Sequence, residues 1–274
     1  MTLVDASGAP LARAAPPQRI VSLIPSTTEL LCDLGLADRL VGVTAYCVEP
    51  RAVVRTKARI GGEKDPDLAA IRALAPDLVI ANVEENVREH IDALRAWGIH
   101  VWVTYPRTVG ESLRMIRELG EVTGTASRAA AMVAELEGDL AGTCVPSAPP
   151  VRTFYAIWRN PYMTVSGDTY ISDLLAVCGA ANVFASAALR YPAVTMDEIA
   201  ARRPEVILLP DEPFRFRRAH LRDFEPYSEV PAVRDGRIHL VDGKPFAWHG
   251  RRLADALRVM AALLRTPGAS PPRG

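Results

Sequence analysis

Short apolar runs closed by turn residues alternate along this chain with stretches of helical period. Residues 20–24 are apolar and end in Pro25-Ser26, which predicts a buried strand. Ser26 or Thr27 is placed to cap a helix that runs to about Leu34 and stops at Gly35. Further strands are predicted at 40–43, 78–81 and 101–104, with helices at 67–74 and 85–97 between them. Apolar residues at 126, 129, 130, 132, 133, 136 and 140 then mark a longer helix, about 18 residues with its ends. At 1.5 Å per residue it spans roughly 27 Å. No strand is predicted near it, so it reads as a lone strut, closed by the Pro-rich link at 147–150.

The alternation then restarts. Strands are predicted at 153–158, 206–209 and 238–241, and helices at 171–178, 196–202 and 250–264. The last helix has 253, 256, 257, 260, 261 and 264 on one face. The tail from 266, rich in Pro and Gly, is expected to be disordered. Strands alternating with helices argue for parallel sheets covered by helices on both faces.

The second half repeats the first. I-R-A-L-A-P-D-L-V-I begins at Ile71, and I-A-A-R-R-P-E-V-I-L begins 128 residues later at Ile199. Glu29-Leu30-Leu31 before Gly35 is echoed by Asp173-Leu174-Leu175 before Gly179. Such self-similarity predicts two similar α/β lobes joined by one long helix. The expected division is 1–124 for the first lobe, 125–147 for the helix and 148–274 for the second lobe with its tail.

Composition narrows the partners. The 32 Lys and Arg balance 32 Asp and Glu. Without a basic surplus, neither nucleic acid nor an anionic membrane surface is an expected partner. No apolar run approaches the ~20 residues of a membrane span, so no membrane insertion is expected. Residues 1–15 carry no secretory h-region and no lipid-anchor Cys. The expectation is a cytoplasmic chain, or a periplasmic one whose signal has been removed. Cys32, Cys47, Cys144 and Cys178 show no C-x-x-C spacing, which argues against a structural zinc site.

Ligands of open parallel sheets bind beyond the carboxyl ends of the strands. The segments expected there include 44–47, 82–86, 105–107, 158–163, 211–216 and 246–252. They contain Tyr46, Tyr105, Trp158, Tyr162, Phe214, Phe216, Phe246 and Trp248, nearly half of the chain's six Phe, four Trp and seven Tyr. Glu85, Arg159 and Arg252 supply charge beside them. A surface so lined suits a large, flat, partly apolar ligand with charged edges, a macrocycle or an aromatic chelate. Each ring has a plainer role as cover for a lobe edge. His249 is a candidate axial ligand to a bound cobalt or iron, with helix capping or hydrogen bonding as the ordinary alternative. Glu84-Glu85 reads first as an acidic helix start. The nucleophile-elbow, phosphate-loop and dinucleotide-binding motifs of enzymes are absent. A non-enzymatic binding protein is therefore expected, with a metal-assisted enzyme using Glu84, Glu85 and His249 as the minor alternative.

R-I-V-S-L-I-P-S-T-T-E-L-L-C-D-L-G (Arg19 to Gly35), L-V-G-V-T and A-P-D-L-V-I-A resemble the helical-backbone (class III) substrate-binding proteins of ABC importers. T-V-S-G-D-T-Y-I-S-D-L-L and W-H-G-R-R are most similar to the vitamin B12 branch. The resemblance implies two α/β lobes joined by one helix. It implies a ligand between the lobes, facing Tyr46, Trp158, Tyr162, Phe214 and Trp248. Candidates are cobalamin, another corrinoid, haem or a ferric siderophore, with no required cofactor. It also implies an ABC permease as partner, docked through one glutamate per lobe. At those positions this chain has Ala69 and Asp197, with Glu63 and Asp67 as the acids nearest Ala69. Ala69 leaves room for a second reading, a cytoplasmic carrier or sensor of the same fold.

Overall fold

The computed structural model describes residues 3–11, 15–143 and 149–265. Cys144, part of the link at 147–150 and the tail from 266 lie outside the described residues. The chain forms two compact units. One holds residues 1–106, 110–135 and 248–251; the other holds 107–109, 136–247 and 252–274.

In the first unit the elements are β1 (Leu3–Val4), β2 (Pro10–Leu11), β3 (Ile20–Ser22), α1 (Pro25–Asp33), β4 (Leu40–Val43), α2 (Arg51–Val54), β5 (Ala58–Arg59), α3 (Leu68–Ala73), β6 (Leu78–Asn82), α4 (Arg88–Ala96) and β7 (Val101–Thr104). Five strands pair in the order β5-β4-β3-β6-β7, every pairing parallel. The core gathers Val21, Leu23, Ile71, Val79, Ile91 and Leu94, all buried. The first helix starts differently from expectation. Ile24 is its N-cap, with no side-chain cap bond, and Pro25 occupies the first turn. Proline lacks the N–H that a cap would satisfy and its φ is already helical, so Ser26 and Thr27 fall inside the helix.

Two consecutive helices follow, α5 (Val109–Thr123) and α6 (Ala126–Thr143). The expected long helix is present as α6, 18 residues long, but it is not alone. α5 was not anticipated, although Leu113, Ile116, Leu119 and Val122 recur at helical spacing and are buried. The two helices cross closely: a Cβ on Gly120 would lie 2.4 Å from the Ala129 Cβ, so only glycine fits. α6 begins in the first unit and ends in the second.

The second unit contains β8 (Val151–Trp158), β9 (Tyr162–Thr164), α7 (Tyr170–Val177), β10 (Ala180–Asn182), β11 (Ala193–Val194), α8 (Met196–Ala201), β12 (Val206–Pro210), α9 (Pro231–Arg234), β13 (Ile238–Val241), α10 (Lys244–Ala247) and α11 (Arg252–Arg265). β10, β12 and β13 join through parallel pairings with β8 or each other, while β9 and β11 add an antiparallel edge. The sheet is therefore mainly parallel. Its core includes Phe154, Ala156, Phe184, Ile199, Ile207 and Leu209.

The sequence repeat is a structural repeat. α3 leads into β6, which pairs with β3; α8 leads into β12, which pairs with β8. Ile71 and Ile199 are buried at the same position. Ala75 and Arg203 both take positive φ, 44° and 48°, just before the proline. Arg19 Nε donates to the carbonyls of Leu74 and Ala75, and Arg152 Nε to that of Arg203. The following acid closes each junction: Asp77 accepts from the Arg19 backbone N–H at 3.0 Å, and Glu205 from the Arg152 N–H at 2.9 Å. One helix–turn–strand module is thus built twice.

Candidate functional site

In the second unit, β8 turns through Arg159, Asn160 and Pro161 into β9. The 158–163 segment is therefore a hairpin rather than an open loop. Trp158 closes β8 and is 43% exposed. Its ring meets Phe214 edge-on at 5.5 Å, and Phe214 meets Phe216 at 4.8 Å. Phe216 stacks on Tyr162 at 6.0 Å, and Tyr162 packs edge-on against Phe224 at 5.9 Å. The rings form a graded series. Trp158 is open, Phe214 is half-buried, and Tyr162 and Phe216 belong to the core. The expectation that Tyr162 and Phe216 sit at exposed loop tips is corrected: Tyr162 lies on a strand, and Phe216 folds inward beneath Phe214.

A polar clamp backs this patch. Arg159 donates to Asp223 through Nε at 2.7 Å and Nη2 at 3.0 Å, and the Tyr162 hydroxyl donates to the same carboxylate at 2.7 Å. The Arg159 hydrogen bond holds the Asp223 carboxyl below its usual range, against the opposing effect of desolvation. Burial, followed by the bond to Asp223, raises the Tyr162 hydroxyl. Arg159 is thus a brace that joins the hairpin to the 310 segment Arg218–Phe224.

In the first unit three loops follow β4, β5 and β6. Tyr46 is 61% exposed. Its loop is tied down by Arg59, whose Nη1 donates to the carbonyls of Thr44 at 2.7 Å and Cys47 at 2.9 Å. Cys47 is buried, with its Sγ 3.1 Å from Thr28 Oγ1 and 3.2 Å from Thr44 Oγ1. Burial raises the Cys47 thiol, and burial followed by the Asp33 charge pushes Cys32 up to about 11. Both thiols therefore stay protonated at neutral pH. After β6, Asn86 Oδ1 accepts from the Asn82 N–H at 2.9 Å, and Asn82 Oδ1 accepts from the Glu84 N–H at 2.8 Å. Asn86 Nδ2 reaches the Glu63 carbonyl at 3.0 Å. These bonds hold the turn that presents Val83 and Glu85 outward. Glu84 and Glu85 precede α4, whose N-cap is Val87, so the expected acidic helix start is corrected: Glu89 is the first-turn acid.

The 246–252 segment also departs from an exposed loop. Phe246 is fully buried on α10 and packs against Tyr155 at 5.6 Å. Trp248 is 5% exposed, and Trp248–Arg251 pack with the first unit. Gly250 there has φ 109°, a conformation that favours glycine. Arg251 Nη1 donates to Glu135 Oε2 at 2.6 Å. Arg252 opens α11 and is half-buried. Burial pushes His249 down to about 4, with the Glu84 charge acting in the opposite direction. Among the described residues, no three His, Cys, Asp or Glu side chains come together to hold a metal ion.

The paired surface positions differ as the sequence shows. Ala69 lies exposed on α3. Asp197 lies exposed on α8 and accepts from the Tyr227 hydroxyl at 2.8 Å. Asp67 caps α3 by accepting from the Ala70 N–H at 2.9 Å, so its carboxylate already serves the helix. Arg59 and Asp223 are the residues that sequence reasoning missed, whereas Asn82 and Asn86 bound the 82–86 segment it named. Each shapes a loop from beneath, and no local motif marks such a role.

Two α/β units built on one repeated module, with a long helix passing from one to the other, define a two-lobed substrate-binding fold. The chain belongs to the periplasmic binding protein family, whose profile matches residues 20–245. The vitamin B12-binding protein of Photorhabdus laumondii subsp. laumondii is 30% identical over 197 residues, 71% of each chain. Among solved structures, the periplasmic vitamin B12 binding protein of Vibrio cholerae superposes with a TM-score of 0.79 at 24% identity, over 91% of this chain and 97% of that one. A periplasmic heme binding protein from Pseudomonas aeruginosa gives 0.79 at 22% identity, over 93% and 96%. These two structures establish likeness of fold. Among the described residues, no helix is long and apolar enough to cross a membrane.

Proposed function

We propose that this substrate-binding protein holds a cobalamin, another corrinoid or a metal chelate such as haem or a ferric siderophore, and delivers it unchanged to an ABC permease. Tyr46, Trp158 and Phe214 are the proposed ring contacts, with Glu85 and Arg252 as polar ones and the buried Trp248 as packing behind them. Arg159, Tyr162 and Phe216 hold that surface in place, and His249 is the candidate axial ligand. The carrying observation is the exposed Trp158 ring seated on Phe214 above a braced carboxylate. An indole left 43% open on so ordered a base offers a rigid apolar face at little entropic cost. Relatives named for vitamin B12 and heme binding support this choice of ligand class.

Calorimetric titration with cyanocobalamin and with haemin tests the proposal. Saturable binding of either at micromolar concentration is expected, with no chemical change in the recovered ligand. Failure of both removes cobalamin and haem, the leading candidates.

A carrier or sensor working without a permease is a second reading, favoured by the exposed Ala69. A reconstituted permease whose ATPase activity responds to the loaded protein, and loses that response in Asp197→Ala, decides for transport. No response decides for the carrier.

A further inference from the structure

Beside the aromatic patch, the second unit has a groove that the ring contacts leave unexplained. β12 and β13 end side by side, with Pro210 in register with Val241. There a cavity of about 640 Å³ opens, lined by Arg215, Arg217, Lys244, Asp211, Asp242 and Phe216 among others. The carboxylates already serve the backbone. Asp211 Oδ1 accepts from the Gly243 N–H at 2.9 Å, and Asp242 Oδ1 from the Lys244 N–H at 3.0 Å. Among the described residues Arg215 and Arg217 form no ion pair, whereas nearby Arg159 is clamped to Asp223. Alternation along the segment sends Phe216 into the core and leaves Arg215 and Arg217 exposed on either side of it. The Phe216 N–H donates to the Pro210 carbonyl at 3.1 Å, which anchors the segment to the end of β12.

We propose that this groove is a subsite for an oxyanion carried by the ligand, a carboxylate or phosphate held by Arg215 and Arg217 with Lys244 beside them. The planar guanidinium fork matches a two-oxygen group. The carboxyl ends of parallel strands are where such sheets receive ligands. Phe216 lines the groove and also touches Phe214, so groove and ring patch share a wall. The inference rests on the ligand reading above and narrows it: the ligand is amphiphilic, with a ring on Trp158 and Phe214 and an anionic group in the groove.

Haemin and its dimethyl ester share ring and iron and differ in two carboxylates, so they test the subsite directly. The wild-type protein is expected to bind haemin at least about tenfold more tightly than the ester, the worth of one charge-assisted hydrogen bond. The double variant R215A/R217A is expected to bind both alike. Both arginines are exposed, so an unchanged melting temperature confirms that the variant is folded. Equal affinities in the wild type, or a preference that survives in the variant, overturn the inference while leaving the ligand reading intact. Binding of neither form nor of cyanocobalamin removes haem and cobalamin as ligands instead. The groove is then decided by inorganic phosphate alone, titrated at constant ionic strength with tryptophan fluorescence as the signal. Saturation that R215A/R217A abolishes sustains the subsite, and a linear response overturns it.

Discussion

Trp158 and Trp248 differ ninefold in exposure, 43% against 5%, and that difference separates affinity from stability. Trp158→Ala is expected to lower ligand affinity by about tenfold or more, because a rigid stacking face is lost. Its thermal stability should stay near wild type. Trp248→Ala is expected to cost about 3–5 kcal/mol of stability, because it empties a buried site. Parallel calorimetric scans and ligand titrations on the two variants check both expectations.

Two titrations also belong to this scale. His249 has a pKa of about 4 in the folded chain against an ordinary 6.5. The folded state resists protonation, so stability is whole above pH 6.5 and declines as pH falls toward 4. The loss reaches on the order of 3 kcal/mol. Chemical unfolding between pH 7 and 4 should show that slope in the wild type and a flatter one in His249→Gln. Asp223 acts in the same direction at lower pH. Its folded pKa lies below the ordinary 3.8. Its contribution is whole above that value and is lost as pH falls through the folded value. Asp223→Asn should therefore lower stability near neutral pH and flatten the limb below about pH 4.

Ile71 on α3 and Ile199 on α8 show what the repeat means at the scale of elements. Each is fully or almost fully buried, at 0% and 1% exposure, and each belongs to a different core cluster. Ile71→Ala and Ile199→Ala are each expected to cost about 2–5 kcal/mol. With no shared partners, the costs should add in the double variant. Urea unfolding of the three variants measures this. A double variant no less stable than the worse single would show that the two cores are coupled.

The same scale shows which elements could be read in advance. β4, β7 and β13 match their apolar runs, and α6 matches its periodicity, because each signal lies within one continuous stretch. α5 carried an equally legible signal in Leu113, Ile116, Leu119 and Val122. β9 did not: three residues beyond a turn have no period to detect, and the strand forms through its pairing with β8.

For the whole molecule, the testable consequence is linkage. A ligand that binds only the folded chain raises its stability by RT ln(1 + [L]/Kd), about 2.7 kcal/mol at a hundredfold excess over Kd. Cyanocobalamin or haemin at that excess should raise the melting temperature measurably. The gain should shrink in Trp158→Ala in step with its weakened affinity.

At this scale the fold class, the duplicated module and the family were determined by sequence alone. Hydrophobic period and the spacing of Ile, Pro and Asp or Glu are local properties, and they recur 128 residues apart without reference to anything distant. Tertiary structure decided which rings remain open. Phe214 and Phe216 stand two positions apart in the chain, yet one is half-buried and the other belongs to the core. Asp223 finds Arg159 across 64 residues. Exposure and ion pairing depend on what folds against a side chain from elsewhere, and that information lies in the packing rather than in any stretch of sequence.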